Sequence, residues 1–61
     1  MIAKRAVINF KNDTFTIVSN IAQLYIMGNI LVVTGDDIKN SKELETVRFR
    51  IESLADLVVE F

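Results

Sequence analysis

The chain has no cysteine, no histidine, no proline and no tryptophan, and only two glycines. Without cysteine there is no disulfide, no thiolate nucleophile and no zinc–thiolate centre. Without histidine the commonest general base and the commonest metal ligand are missing. Charge of one sign is also scarce. Seven Lys and Arg stand against eight Asp and Glu, a net charge of −1, so no global field argues for nucleic acid or for an acidic tail. Long apolar runs are absent too. The longest, 24–27 and 30–33, have four residues each, whereas a spanning helix needs ~20. Lys4 and Arg5 could open a signal peptide, but Asn9, Lys11, Asn12 and Asp13 break the apolar stretch that must follow. The expected location is therefore cytoplasmic, with no membrane partner.

What is present fits one small domain, 1–61, starting at Met1 and reading as a complete short gene product. A chain of this size buries only about 60% of the surface it exposes when unfolded. Such domains usually need a staple, a metal or a partner subunit. Yet 51% of the residues are hydrophobic, more than a monomer of this length easily hides. The expectation is a homo-oligomer, or an obligate partner such as a host protein.

The dominant pattern is period two in β-branched residues, which favours strands. Segments 3–11 and 14–18 read as a hairpin around Lys11-Asn12-Asp13-Thr14, whose residues tolerate turn conformations. Ser19-Asn20 interrupts the pattern before a third strand at 21–27. Gly28-Asn29 is a two-residue II′ or I′ turn signal, and a fourth strand follows at 30–34. Residues 35–44 form the one polar stretch and read as an exposed loop, with room for a helical turn near its end. A fifth strand then turns Val47, Phe49 and Ile51 inward and Thr46, Arg48 and Arg50 outward. Glu52-Ser53 breaks it, 54–56 read as a turn, and 57–61 form a sixth strand. The fold class is all-β, with about six short antiparallel strands in a small barrel or strongly bent sheet. Phe15-x-Ile17-x-Ser19 and Phe49-x-Ile51-x-Ser53, each followed by an apolar-Ala-polar-Leu pattern, also read as two strand–turn–strand–corner–strand repeats.

The run Val7–Ile17 in sequence, then Ser19-Asn20-Ile21, Gly28 to Val33, Val47 to Ile51 and Leu54, resembles small SH3-like or Sm-like β-barrel accessory proteins. These occur in Gram-positive bacteria, their phages and mobile elements. The resemblance implies a short protein that binds something, of the kind that inhibits or regulates a host protein. It carries no residue roles.

Catalysis lacks its players. Ser19, Ser41 and Ser53 have no histidine to activate them, the two glycines do not form a phosphate loop, and the acids read as surface residues. Asp36, Asp37, Asn40 and Glu43 do not match the spacing of a calcium loop. No enzyme activity, metal or cofactor is expected. The hairpin 22–33 is apolar on both faces, so one face needs a cover other than the core. Leu24, Tyr25, Ile26, Met27, Ile30 and Val32 are its candidate interface residues, for self-association or for a host protein. Arg48 and Arg50, with Arg5 and Lys11, are candidate anion-binding residues. They make a nucleic-acid or nucleotide-binding barrel the alternative function, though an overall acidic balance offers little counterion release. A structural subunit of a larger assembly is the third possibility.

Overall fold

The computed structural model describes residues 2–37 and 44–61. Five strands, β1 (Ala3–Phe10), β2 (Phe15–Met27), β3 (Ile30–Asp37), β4 (Leu44–Arg50) and β5 (Leu54–Glu60), form one antiparallel sheet in the order β4-β3-β2-β1-β5. A 3₁₀ turn, Ile51–Ser53, joins β4 to β5. The all-β expectation holds at this level.

The expectation of about six strands is corrected to five among the described residues, because the second and third are one. β2 runs through Ser19-Asn20 without ending. Asn20 adopts a φ of 52°, and the β2–β3 register shifts between Ser19 and Gln23. This is a bulge: the strand bends and changes register but keeps its ladder. Asparagine is among the few residues that enter the left-handed region at small cost. The 13 residues of β2 would span about 40 Å if straight, yet the longest dimension of the molecule is 28 Å. The strand therefore fits the molecule because it bends.

The first half of β2 pairs with β1, with Ala6 opposite Val18 and Ile8 opposite Thr16. The second half pairs with β3, with Leu24 opposite Val33 and Met27 opposite Ile30. Two turns set these registers. In the first, Asn12 Oδ1 accepts from Thr14 N at 3.2 Å and from Thr14 Oγ1 at 2.5 Å, while Asp13 has a φ of 67°. In the second, Gly28 has a φ of +61° and Asn29 is not in the positive region, the φ pattern of a II′ turn.

The sheet curls but does not close. β4 and β5 are its edges, so of the two expected forms, a small barrel or a strongly bent sheet, the barrel is not closed. Phe10 on β1 and Phe49 on β4 lie three strand steps apart, about 14 Å in a flat sheet. Their ring centroids are nonetheless 5.3 Å apart. Inside the curl, Ala3, Ala6, Ile8, Val18, Ile21, Leu31 and Val33 form the buried core, with Leu57 and Val59 from β5 and Val47 from β4 packed on it. The 3₁₀ turn ties the open end: Ile51 N donates to Asn29 O at 2.8 Å, and Lys11 N donates to Ser53 O at 3.0 Å. It thereby bonds to both hairpin turns.

The polar stretch expected at 35–44 is shortened from both sides. Gly35, Asp36 and Asp37 belong to β3, and Leu44 starts β4. Residues 38–43, with most of the expected helical turn, lie outside the described residues. The expected turn at 54–56 is instead the 3₁₀ turn at Ile51–Ser53, and β5 begins at Leu54. The two aligned corners differ in form: one is a bulge inside a strand, the other a turn between non-adjacent strands. Phe15 is 63% exposed, whereas Phe49 packs on the core.

Candidate functional site

Strand register converts the candidate residues into positions on a surface. On β3, Leu31, Val33 and Gly35 face the core, so Ile30, Val32 and Thr34 face outward. Their partners on β2 are Met27, Tyr25 and Gln23. Their partners on β4 are Arg50, Arg48 and Thr46. Three rows result across β2, β3 and β4: Gln23–Thr34–Thr46, Tyr25–Val32–Arg48 and Met27–Ile30–Arg50. The apolar candidates and the arginine pair, which the sequence presents as two separate features, share one face.

This placement sorts the six interface candidates. Tyr25 and Met27 are outward and exposed, at 42% and 64%. Ile30 is outward and half-buried. Val32 is also outward but only 3% exposed, because larger neighbours, Tyr25 and Arg48, flank it on both sides. Leu24 belongs to the other side and packs on the core. Ile26 alternates with the core-facing residues, but near the hairpin end it is 63% exposed.

The four cationic candidates are not brought together. Arg48 and Arg50 project from one face of edge strand β4, about 7 Å apart. Arg50 has a loose ion pair with Glu52 at 3.8 Å, both side chains being at least 70% exposed. Arg48 has no ion-pair partner among the described residues. Arg5 lies on β1 and pairs through Nε with Glu60 Oε2 at 2.8 Å, since the β1–β5 register sets these residues opposite each other. Lys11 is exposed in the first turn, beside an open groove of about 250 Å³ lined by Phe10, Lys11, Asn12, Glu52 and Ser53.

Besides Glu52, the arginine-bearing face has Asp36, two positions along β3 beyond Thr34. Its Oδ2 already accepts from Asn20 Nδ2 at 2.6 Å. The face therefore combines an aromatic ring, a flexible thioether and two guanidinium groups. Tyr, Met and Arg are residue types enriched at protein interfaces.

Sequence reasoning overlooked the other half of the outer surface. Here β2, β1 and β5 align Ser19–Arg5–Glu60, Ile17–Val7–Val58 and Phe15–Asn9–Asp56. The signal was available in 57–59: with Leu57 and Val59 inward, Val58 must point out.

Among the described residues, no polar or charged side chain is buried, and no helix is long and apolar enough to cross a membrane. No family model matches the chain, and neither does any curated protein or solved structure.

Proposed function

We propose that this chain is a small non-enzymatic protein-interaction module, and that it docks an acidic protein segment carrying apolar side chains on the outer face of β2–β3–β4. The observation that supports this reading is the register that sets Tyr25, Val32 and Arg48 in one row and Met27, Ile30 and Arg50 in the next. Covering Tyr25 and Met27 removes apolar surface from water, at up to about 1.5–3 kcal/mol for a fully buried side chain of the Met type. The two guanidinium groups then select for carboxylates, which they grip in bidentate geometry. A second copy of this chain is a poor occupant of the same face. Stacked face to face, two copies would gather four arginines with no carboxylate in the three rows, Arg50 having only its loose contact with Glu52, and under-compensated charge loses its hydration there.

The test is a titration of isotopically labelled protein, followed by amide resonances. Three probes are compared: a peptide alternating Glu with Leu and Phe, the same peptide with Lys in place of Glu, and a thymine oligonucleotide. The reading expects only the first to shift Tyr25, Met27, Ile30, Arg48 and Arg50, and expects Arg48→Glu with Arg50→Glu to abolish the response. Shifts confined to other strands would refute it. Tighter binding of the oligonucleotide would replace it by a nucleic-acid function, with Tyr25 stacking on bases and the arginines on phosphates.

A further inference from the structure

We infer that the other half of the outer surface, formed by β1, β5 and the first half of β2, is the docking site for a second copy of this chain. Its central row is wholly apolar, Ile17–Val7–Val58. Val58 is 49% exposed, and Phe15, one row away, is 63% exposed. The charged groups and the amide on either side of that row are already engaged within the chain. Arg5 pairs with Glu60 at 2.8 Å on one side, and Asn9 Nδ2 donates to Asp56 Oδ1 at 2.6 Å on the other. This is the anatomy of an interface: an apolar centre inside a satisfied polar rim.

Charge decides between the two faces. The β2–β3–β4 face carries two arginines and no carboxylate in its three rows, so it repels its own copy. The β1–β2–β5 face carries one arginine and two carboxylates, and these are held within the chain, Arg5 with Glu60 and Asp56 with Asn9, so it brings less uncompensated charge against a copy of itself. A two-fold axis along the apolar row stacks Val7 on Val7 and Val58 on Val58. It also sets the Arg5 row of one copy against the Asn9–Asp56 row of the other, as an isologous contact requires, with Arg5 over Asn9 and Glu60 over Asp56, so that Arg5 is the cation between two facing carboxylates. Arg5, half exposed beside Glu60, then lies within reach of Asp56 of the second copy. The need for such a contact follows from size. Only eight hydrophobic residues are buried among those described, and no disulfide is available.

Light scattering and sedimentation equilibrium on the full chain, from micromolar to millimolar concentration, test this. The mass should rise to twice the 6.9 kDa of the protomer. Val58→Asp and Phe15→Asp should each weaken the dimer at least ~10-fold, a change of about 1.4 kcal/mol. Tyr25→Asp should leave the dimer intact. Isotope-filtered contacts between labelled and unlabelled wild-type copies, expected across the Val7, Ile17 and Val58 methyls, need no substitution and so cannot be confused with misfolding. A monomer at every concentration overturns the inference. So does a dimer that Tyr25→Asp disrupts and Val58→Asp does not, or one whose intermolecular contacts fall on Met27 and Ile30.

Discussion

Replacing Gly35 by alanine tests the bend most directly, because backbone entropy and packing act on it with opposite signs. Gly35 lies in β3, outside the left-handed region, where alanine normally stabilises by up to about 1 kcal/mol by restricting the unfolded chain. The packing says otherwise. A Cβ at residue 35 would lie 2.6 Å from Ser19 O, 2.8 Å from Val18 Cγ1 and 3.3 Å from Ile21 Cδ1. A carbon–oxygen contact normally relaxes to about 3.3–3.6 Å, so Ser19 O must retreat by roughly 0.7–1 Å. That oxygen is backbone and adjoins Asn20, whose φ of 52° holds the bulge. It cannot swing away like a side-chain tip. The expected cost is in the upper part of the overpacking range, about 2–3 kcal/mol. A chain of this length has a total stability of about 3–9 kcal/mol, and 1 kcal/mol shifts its melting temperature by about 4–8 °C. The variant should therefore melt about 10–20 °C lower, by circular dichroism, with a matching drop in urea midpoint. Gly28→Ala is the internal control. Its Cβ would meet nothing within 4 Å, and its φ of +61° is the only penalty, about 1–2 kcal/mol. If Gly35→Ala proves equal to wild type, or less harmful than Gly28→Ala, the close crossing of β3 over the β2 bulge is wrong.

Three further outcomes follow from the same structure. Ile8 is fully buried, so Ile8→Ala should cost about 2–5 kcal/mol and leave much of the population unfolded at 25 °C, read as lost amide dispersion; a cost below 1 kcal/mol would remove Ile8 from the core. Asn20→Gly should be nearly neutral, while Asn20→Val, forcing a β-branched residue to positive φ, should cost about 1–3 kcal/mol in urea unfolding; equal values would mean that no left-handed bulge exists at that position. A double-mutant cycle on Arg5 and Glu60, whose side chains are half exposed, should give a coupling of about 0.2–1 kcal/mol in the dilute, monomeric protein, shrinking in molar salt. A coupling above 2 kcal/mol would mean that the pair is shielded from water.

What the sequence made legible was local. The alternation of Val47 and Phe49 with Thr46, Arg48 and Arg50 is a period-two signal, and those residues do face opposite ways. Gly28-Asn29 between apolar runs is a turn because glycine supplies the positive φ, and the hairpin closes there. What escaped was a change of register inside a continuous strand. Ser19-Asn20 looks like a break since both residues are polar, but a bulge uses the same chemistry as a turn without ending the ladder. The burial of Val32 was equally hidden: its cover comes from Tyr25 and Arg48, one strand away on each side. The pairing of Arg5 with Glu60 depends on β1 pairing with β5, a contact between the two ends of the chain that no local pattern encodes.

The bulge at Asn20 also has a consequence for function. A straight β2 would give one flat sheet with a single mixed outer face, on which Arg5, Arg48 and Arg50 would share a surface with Tyr25, Val58 and Phe15. Because β2 bends, it serves β1 and β5 with its first half and β3 and β4 with its second. The core sits in the concavity, where Phe10 meets Phe49 at 5.3 Å. The outer surface is then divided into two areas of different charge. One carries arginines that lack a carboxylate in their rows, the other an arginine already paired with Glu60. Curvature lets so short a chain enclose a core at all. It also separates the face proposed for an acidic partner from the face proposed for a second copy, so a substitution that straightens β2 should impair both proposed contacts through one structural cause.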